Sequence, residues 1–257
     1  MECIPSNPAC ELNFVNTLMD DYDKNFPFAL VGHTDLSSLN ALQLINEFSS
    51  KYGRRFRGIR QILNHHPTNP SLTWPRVEHG DYMKSKEWIS NFSALQMHDL
   101  SFDAQVNPHQ LMELASVVTQ HPNIQVVIDH MGCIRIDADK HETEKNLKFW
   151  REGMKALSMR PNVFVKLSQF HFINGKNFLE NEQKRKVVEE LMVELIDLFG
   201  TSRCMLASNF PVDKFQGLSA KDTFQFAKEV IQRKVSSDNE QQQIYMTNAA
   251  KFYKLAL

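Results

Sequence analysis

The sequence lacks the features that mark several large classes of protein. It has 29 Lys and Arg against 30 Asp and Glu, a formal net charge of −1, and neither sign forms a block. Nucleic acids and anionic membranes are bound through clustered basic residues, so the sequence predicts neither as a partner. No apolar run approaches the roughly 20 residues of a membrane-spanning helix.

Cysteine is also scarce, and its spacing forms no framework. The four cysteines contain no Cys-x-x-Cys pair, which predicts free thiols in a reducing compartment. The first residues show neither a basic nor an apolar signal segment, so we expect a cytoplasmic protein. The length of 257 residues and the 42% hydrophobic content fit a single domain over residues 1–257.

The most informative stretch present is residues 124–132. Its β-branched residues are followed by His130 and Gly132, a composition that predicts a buried parallel strand. His130 then lies at the carboxyl end of the strand, the edge of α/β sheets where ligands bind.

Strand and helix patterns alternate about six times along the chain. Strands are predicted at residues 28–36, 55–63, 100–106, 124–132, 162–170 and 203–209. Helices are predicted at 8–22, 38–52, 85–98, from Asn107-Pro108 onward, after residue 145, at 183–199, and twice more at the end. This alternation predicts an α/β fold with parallel strands and right-handed crossovers. Residues 64–83 form a long loop, typical of a lid or binding loop.

Polar residues recur where the predicted strands end. They are His33, Arg60, Gln105, Asn107, His130, Lys166, Ser168 and Asn209. Side chains two apart share a face of a strand, so Asp103 and Gln105 share one face, and His130 shares a face with Ile128. Buried cations need partners, and a small anionic substrate would supply one.

The chemistry of these residue types is that of polar catalysis. Arg60 is suited to clamp a carboxylate through two hydrogen bonds, and Lys166 to stabilise an oxyanion. His130 is suited to polarise a carbonyl, to act as a general acid or base, or to ligate a metal. Neither a nucleophile elbow nor a glycine-rich phosphate loop is present.

Six stretches in order resemble one known family. They are residues 58–63 (GIRQIL), 100–106 (LSFDAQV), 127–132 (VIDHMG), 163–168 (VFVKLS), 207–213 (ASNFPVD) and 248–253 (NAAKFY). Together they resemble the amidohydrolase-related (amidohydrolase 2) branch of the metal-dependent hydrolase superfamily. That branch includes L-fuconolactonase and 2-pyrone-4,6-dicarboxylate lactonase.

The resemblance implies a TIM-barrel-like parallel β/α fold and a set of site residues. His130 matches the family's active-site histidine, Arg60 its arginine for a substrate anion, and Lys166 a strand-end lysine. Asn209 stands where the family usually has Asp, and an amide cannot accept a proton. The implied catalytic residues are thus His130, Asn209 and Lys166. The substrate-binding residues are Arg60, Gln105, His33 and Ser168.

Family members begin with a strand bearing a His-x-His pair, which this sequence lacks. Met1-Glu2 resembles the end of the family's second strand, so the sequence predicts an incomplete barrel of about six of eight strands, truncated at the N-terminus. Unpaired strand edges favour association, and a homo-oligomer would cover them. Without the His-x-His pair no metal site is predicted for this chain, with His130 the one candidate ligand, and metal dependence stays open. In a full-length form it implies one divalent ion such as zinc.

Three functions remain open at this point. The first is a hydrolase that opens a small carboxylated or sugar-derived lactone with activated water. The second is a catalytically inactive, truncated family member with a ligand-binding or structural role. The third is lactone hydrolysis without a metal, since water attack on an activated ester needs only a base and an electrophile.

Overall fold

Strands and helices alternate along the chain, as predicted. The computed structural model describes residues 7–22, 27–136, 139–175 and 178–255, so Met1-Glu2 and Cys3 lie outside the described residues. The strands are β1 (Leu30–His33), β2 (Phe56–Ile62), β3 (Ser101–Gln105), β4 (Val126–Ile128), β5 (Val163–Leu167) and β6 (Cys204–Leu206). The helices are α1 (Pro8–Tyr22), α2 (Ala41–Tyr52), α3 (Lys86–Ala94), α4 (Leu111–Gln120), α5 (Lys140–Ser158), α6 (Phe170–Asn174), α7 (Glu182–Phe199), α8 (Val212–Phe215), α9 (Ala220–Lys234), α10 (Asp238–Gln242) and α11 (Asn248–Phe252).

The six strands form one parallel sheet in sequence order. Each strand pairs with the next, from β1 to β6, and the order never reverses. Right-handed crossovers that always advance in one direction place the helices on the same face, which is the arrangement of a β/α barrel rather than of a doubly wound sheet. The predicted α/β, TIM-barrel-like fold is confirmed. The predicted N-terminal truncation and the homo-oligomer remain predictions.

The outer face of the sheet is the hydrophobic core of the protein. Phe102 on β3 packs edge-on against Trp88 and Phe92 of α3, with ring centroids 5.7 and 5.3 Å apart. All three side chains are fully buried, and each such aromatic contributes several kcal/mol through the surface it removes from water. This layer holds the strands in register, and the register sets the positions of the polar groups on the other face.

The inner face carries both the polar groups and a second, smaller apolar cluster. The register pairs Arg60 with Asp103 and places Lys166 beside Met205, so these residues share the inner face. Below them Val127, Phe164 and Met205 pack together with Phe252 at the end of α11. The C-terminal helix therefore lies against the inner face of the sheet.

The central strand is shorter than predicted, because it ends at Ile128. His130 and Met131 have φ values of 54° and 53°, and Gly132 and Cys133 follow at 68° and 50°, so four consecutive residues have the positive φ values that β-strands exclude. The prediction that His130 shares a face with Ile128 is wrong for this reason. The turn directs its imidazole inward, toward Ser168.

The loop of residues 64–83 is anchored at the end of β3. Asn107 Nδ2 donates to the carbonyl oxygens of His65 and Leu72, at 3.2 and 2.8 Å. Asn107 and Gln110 also form a reciprocal capping box at the turn that precedes α4, which satisfies backbone donors at this helix start. The loop contacts α6 through the rings of Trp74 and Phe172. Its role as a lid remains a prediction.

Candidate active site

Four of the predicted site residues meet at the carboxyl edge of the sheet. His130 Nδ1 lies 2.9 Å from Ser168 Oγ, and His130 Nε2 lies 3.2 Å from an Arg60 terminal nitrogen. The same Arg60 nitrogen donates to Gln105 Oε1 at 3.4 Å. Side chains from the ends of β2, β3, β4 and β5 thus form one connected group.

The contacts of His130 define its protonation state. A guanidinium has only donors, so Arg60 donates to Nε2, and the single hydrogen of a neutral imidazole lies on Nδ1 and is donated to Ser168. Burial lowers the pKa of His130 to about 3 from an ordinary 6.5, with Asp129 opposing the fall and Arg60 adding to it. His130 is therefore a neutral Nδ1–H tautomer at physiological pH.

A buried ion network lies directly beneath this group. Lys166 Nζ contacts Asp103 at 2.5 Å and Asp129 at 2.8 Å. Arg60 Nε contacts the other Asp129 oxygen at 3.1 Å. Tyr253 donates its hydroxyl to Asp103 at 2.6 Å. Two cations and two carboxylates balance, so the network carries no net charge.

The network shifts the pKa values of Asp129, Lys166 and Tyr253 according to their neighbours. Burial raises the pKa of the Asp129 carboxyl, but Arg60 and Lys166 outweigh burial and hold it below its usual value. Burial lowers the pKa of Lys166, and the two carboxylates more than reverse this and raise it well above normal. Burial and Asp103 together raise the pKa of Tyr253. Lys166 is thus a fixed ammonium, unsuited to act as a nucleophile.

The two remaining predicted site residues, His33 and Asn209, lie at the margins of this group. His33 is the register partner of Arg60 on β1, and burial lowers its pKa, with Asp35 partly opposing. Asn209 is buried, and its backbone N–H donates to Asp213 at 2.7 Å. The catalytic and binding roles of all seven residues remain predictions.

Sequence reasoning missed three members of the network. Asp103 was placed on the same strand face as Gln105, and that alternation was the signal that it points inward. Asp129 directly precedes His130 and was hidden within an apolar strand pattern. Tyr253 is 150 residues from Asp103, and no local pattern indicates that contact. The expectation that buried cations require an anionic ligand is also corrected, because Asp103 and Asp129 supply the counter-charges.

The donor set does not fit a metal ion. Zinc is bound by three or four His, Cys or carboxylate groups, and no such group of three occurs among residues 7–22, 27–136, 139–175 and 178–255. His130 Nε2 faces the Arg60 guanidinium, and the Asp103 and Asp129 carboxylates face Lys166. Cations already contact the atoms that a metal would need as ligands.

The lowered pKa of His130 makes stability depend on pH. The unfolded chain binds a proton below pH 6.5, whereas the folded chain resists it until about pH 3, so stability is lost as the pH falls below 6.5. At pH 5 this group alone costs about 2 kcal/mol relative to pH 7. Urea unfolding at the two pH values measures the difference, and His130→Asn is expected to reduce it by that amount. An unchanged pH dependence in the variant contradicts the assignment. Both proteins retain His109, whose pKa burial lowers to about 4, so its share cancels.

The sequence matches known proteins over most of its length. An uncharacterised protein, y4mH, from Sinorhizobium fredii is 32% identical over 98% of this chain and 77% of its own length. An L-fucono-1,5-lactonase from Burkholderia ambifaria is 29% identical over 75% of this chain, and the match spans 58% of that lactonase. A second L-fucono-1,5-lactonase, from Burkholderia multivorans, is 27% identical over 72% of this chain and 57% of its own length.

Solved structures share the fold. A zinc-bound amidohydrolase from Burkholderia multivorans superposes with a TM-score of 0.77 at 22% identity, over 96% of this chain and 80% of that chain. A probable 2-pyrone-4,6-dicarboxylic acid hydrolase from Acinetobacter baumannii superposes with a TM-score of 0.69 at 14% identity, over 97% of this chain and 81% of that chain. Within the described ranges, no helix has the length and apolar character needed to cross a bilayer.

The family assignment follows from a match that covers most of the chain. Residues 50–255 fit the family model Amidohydro_2, described as amidohydrolase. This range includes β2 to β6, and with them every residue of the Arg60–His130 group and of the ion network. The chain belongs to the amidohydrolase family.

Proposed function

We propose that this protein hydrolyses a small lactone by adding water to the ester carbonyl of the ring. One observation carries the proposal: a neutral imidazole at the carboxyl edge of the sheet has its Nε2 lone pair directed at a hydrogen-bond donor, the Arg60 guanidinium. The curated relatives named as lactonases support the reaction class. The match spans little more than half of their length, so their activity comes to this chain as a proposal.

The charge balance favours an uncharged substrate over a carboxylated one. An anionic lactone needs uncompensated positive charge, whereas Arg60 and Lys166 are neutralised by Asp129 and Asp103. A hydroxylated, sugar-derived lactone requires hydrogen-bonding groups without net charge. A cavity of about 340 Å³ lies on the Arg60 side of the group. Arg60, Asp103, Lys166 and Tyr253 line it together with residues of α1 and β1 and offer both donors and acceptors, a size and polarity suited to a single small ring.

In the proposed reaction, each group has one role. Arg60 has five N–H donors. The N–H that donates to His130 Nε2 changes its acceptor and donates a hydrogen bond to the lactone carbonyl oxygen instead. The Arg60 charge is one of the causes that lower the pKa of His130, so its move toward the carbonyl makes the freed Nε2 more basic, and Nε2 then takes a proton from the attacking water. The carbonyl oxygen becomes an oxyanion stabilised by Arg60 and by the nearby Lys166 ammonium. Ser168 and Gln105 hold the imidazole and the guanidinium in these orientations.

A catalytically inactive family member is the second candidate. The observation that favours it is the saturation of the ion network, since Lys166 is held by two carboxylates and Asp103 also accepts from Tyr253. A group held this tightly reorganises poorly toward a substrate. In that case the inner face has only a structural or ligand-binding role.

A lactone screen decides between the two candidates. The purified protein is assayed with a pH indicator against sugar 1,5-lactones, sugar 1,4-lactones and a pyrone dicarboxylate, with and without EDTA. Hydrolysis of sugar lactones above the spontaneous rate, unchanged by EDTA, is expected. A preference for the dicarboxylate contradicts the substrate class, and loss of activity with EDTA contradicts the metal-free mechanism. If no lactone is hydrolysed faster than its spontaneous rate, the second candidate, a catalytically inactive family member, is supported.

A further inference from the structure

A second histidine lies at the same edge of the sheet, paired with a buried carboxylate. His171 Nδ1 is 3.0 Å from Asp213 Oδ1, and the two side chains are 6% and 1% exposed. His171 is in α6, immediately after β5, and Asp213 is in α8, which follows β6. Neither residue has a role in the steps described so far.

The pair is close to His130 through the chain and through space. Ser168, which binds His130 Nδ1, precedes His171 by three residues. Burial lowers the pKa of His130, and the nearby Asp213 charge is among the groups that oppose this fall. The pair therefore belongs to the same edge of the sheet as the His130 group, on the side toward β6.

The Asp213 carboxylate is fixed in orientation. Its second oxygen accepts the backbone N–H of Asn209 at 2.7 Å, and the residue is fully buried. A buried carboxylate 3.0 Å from Nδ1 favours one orientation of the imidazole, with Nε2 on the side of the ring away from Asp213. Among the described residues, His171 Nε2 has no protein hydrogen-bond partner, and this nitrogen is not fully buried. It therefore remains accessible to a ligand.

Ring opening of a lactone requires a second proton transfer, at the ring oxygen. When the ring C–O bond breaks, the leaving alkoxide must take a proton. In the proposed reaction His130 Nε2 serves the attacking water rather than the ring oxygen, and Lys166 is committed to two carboxylates. Asn209 stands at the end of β6 and has no titratable proton.

We propose that the His171–Asp213 pair is the proton donor to the ring oxygen, an inference that rests on the proposed lactone hydrolysis. Water oxygen bonds to the carbonyl carbon, and one water proton goes to His130 Nε2. The oxyanion then re-forms the C=O bond, the ring C–O bond breaks, and its electron pair takes the proton of His171 Nε2. Solvent removes the proton from His130 and restores the one on His171. The product is the open hydroxy acid.

The test compares two leaving groups in one variant. His171→Asn keeps an amide N–H that can face Asp213 but cannot transfer a proton. An alkyl lactone such as δ-valerolactone releases a basic alkoxide, so its kcat is expected to fall by about 10²–10⁴-fold. An aryl lactone such as dihydrocoumarin releases a phenolate that needs no donor, so its kcat is expected to fall by less than about tenfold. Exposed His141 gives the control variant His141→Asn, which is expected to leave both rates unchanged.

The possible outcomes separate this inference from the proposed function. Equal losses on the two lactones, or no loss on either, overturn the proton-donor role while hydrolysis itself stands. A wild type inactive on every lactone overturns both. If circular dichroism shows that His171→Asn does not fold, the test is made on the wild type alone, with a series of lactones that differ in the pKa of the leaving group. Rates that vary little with leaving-group pKa across a lactone series support the donor, and a steep dependence overturns it.

Discussion

Replacing Lys166 with methionine is expected to lower the free energy of unfolding by about 3–5 kcal/mol, because it removes one partner of a buried ion network. The ammonium lies between Asp103 and Asp129, whose side chains are 2% and 0% exposed. Without it, two carboxylates face each other in a site that water scarcely reaches. Methionine has similar length, so packing changes little, and the cost is electrostatic.

The measurement is chemical unfolding of the wild type and of Lys166→Met. A second variant, Lys166→Met with Asp103→Asn, is expected to recover part of the loss, because it removes the like-charge repulsion while Tyr253 keeps an acceptor. Lys186→Met is the matched control, since Lys186 is 73% exposed in a loose pair with Glu190 and such pairs contribute about 0–1 kcal/mol. Equal effects of the two single substitutions would contradict the network.

The sheet and its inner polar face could be predicted because they depend on local periodicity. Alternation along β3 placed Asp103 and Gln105 on one face, and the structure confirms that both point inward. The helix predicted at residues 8–22 has those bounds in the structure. Burial on one face of a helix, or on alternate residues of a strand, leaves a repeat that is visible in the sequence.

The direction of His130 could not be predicted, because it depends on where the strand ends. Strand alternation continued past Ile128 gives the opposite face, whereas the left-handed backbone at His130 and Met131 turns the imidazole inward. Non-glycine residues take this conformation rarely, and of the residues in this stretch only Gly132 indicates a turn by its type. A single conformational choice at the strand end thus decides whether the imidazole reaches Arg60.

The pairing of charges could not be predicted either, because it depends on contacts between distant parts of the chain. The sequence indicated buried cations but not their partners, and this led to the expectation of an anionic substrate. The observed pairs join Lys166 to Asp103 and Asp129, and Arg60 to Asp129. They change the proposed substrate from an anion to an uncharged ring, so the greatest change in the functional interpretation comes from interactions that leave no local pattern.

The largest effect on activity is expected from His130→Ala, which removes the proposed base. The loss in kcat on a sugar lactone should be about 10²–10⁴-fold, the usual contribution of a positioned acid or base. Ser168→Ala is expected to cost less, about tenfold, because Arg60 still directs its donor at Nε2 while only the acceptor for Nδ1–H is lost. Steady-state kinetics at pH 7 measure both variants, with His141→Asn as the matched control.

The ranking of these two variants tests the tautomer as well as the base. If Nδ1 carries the hydrogen and Nε2 takes the water proton, removal of the whole ring must cost more than removal of its Ser168 partner. A Ser168→Ala loss as large as that of His130→Ala would show that the hydrogen on Nδ1 is essential, with Ser168 itself in the reaction. Full activity in His130→Ala would instead place the base outside this group, and the Arg60–His130 contact would then be structural.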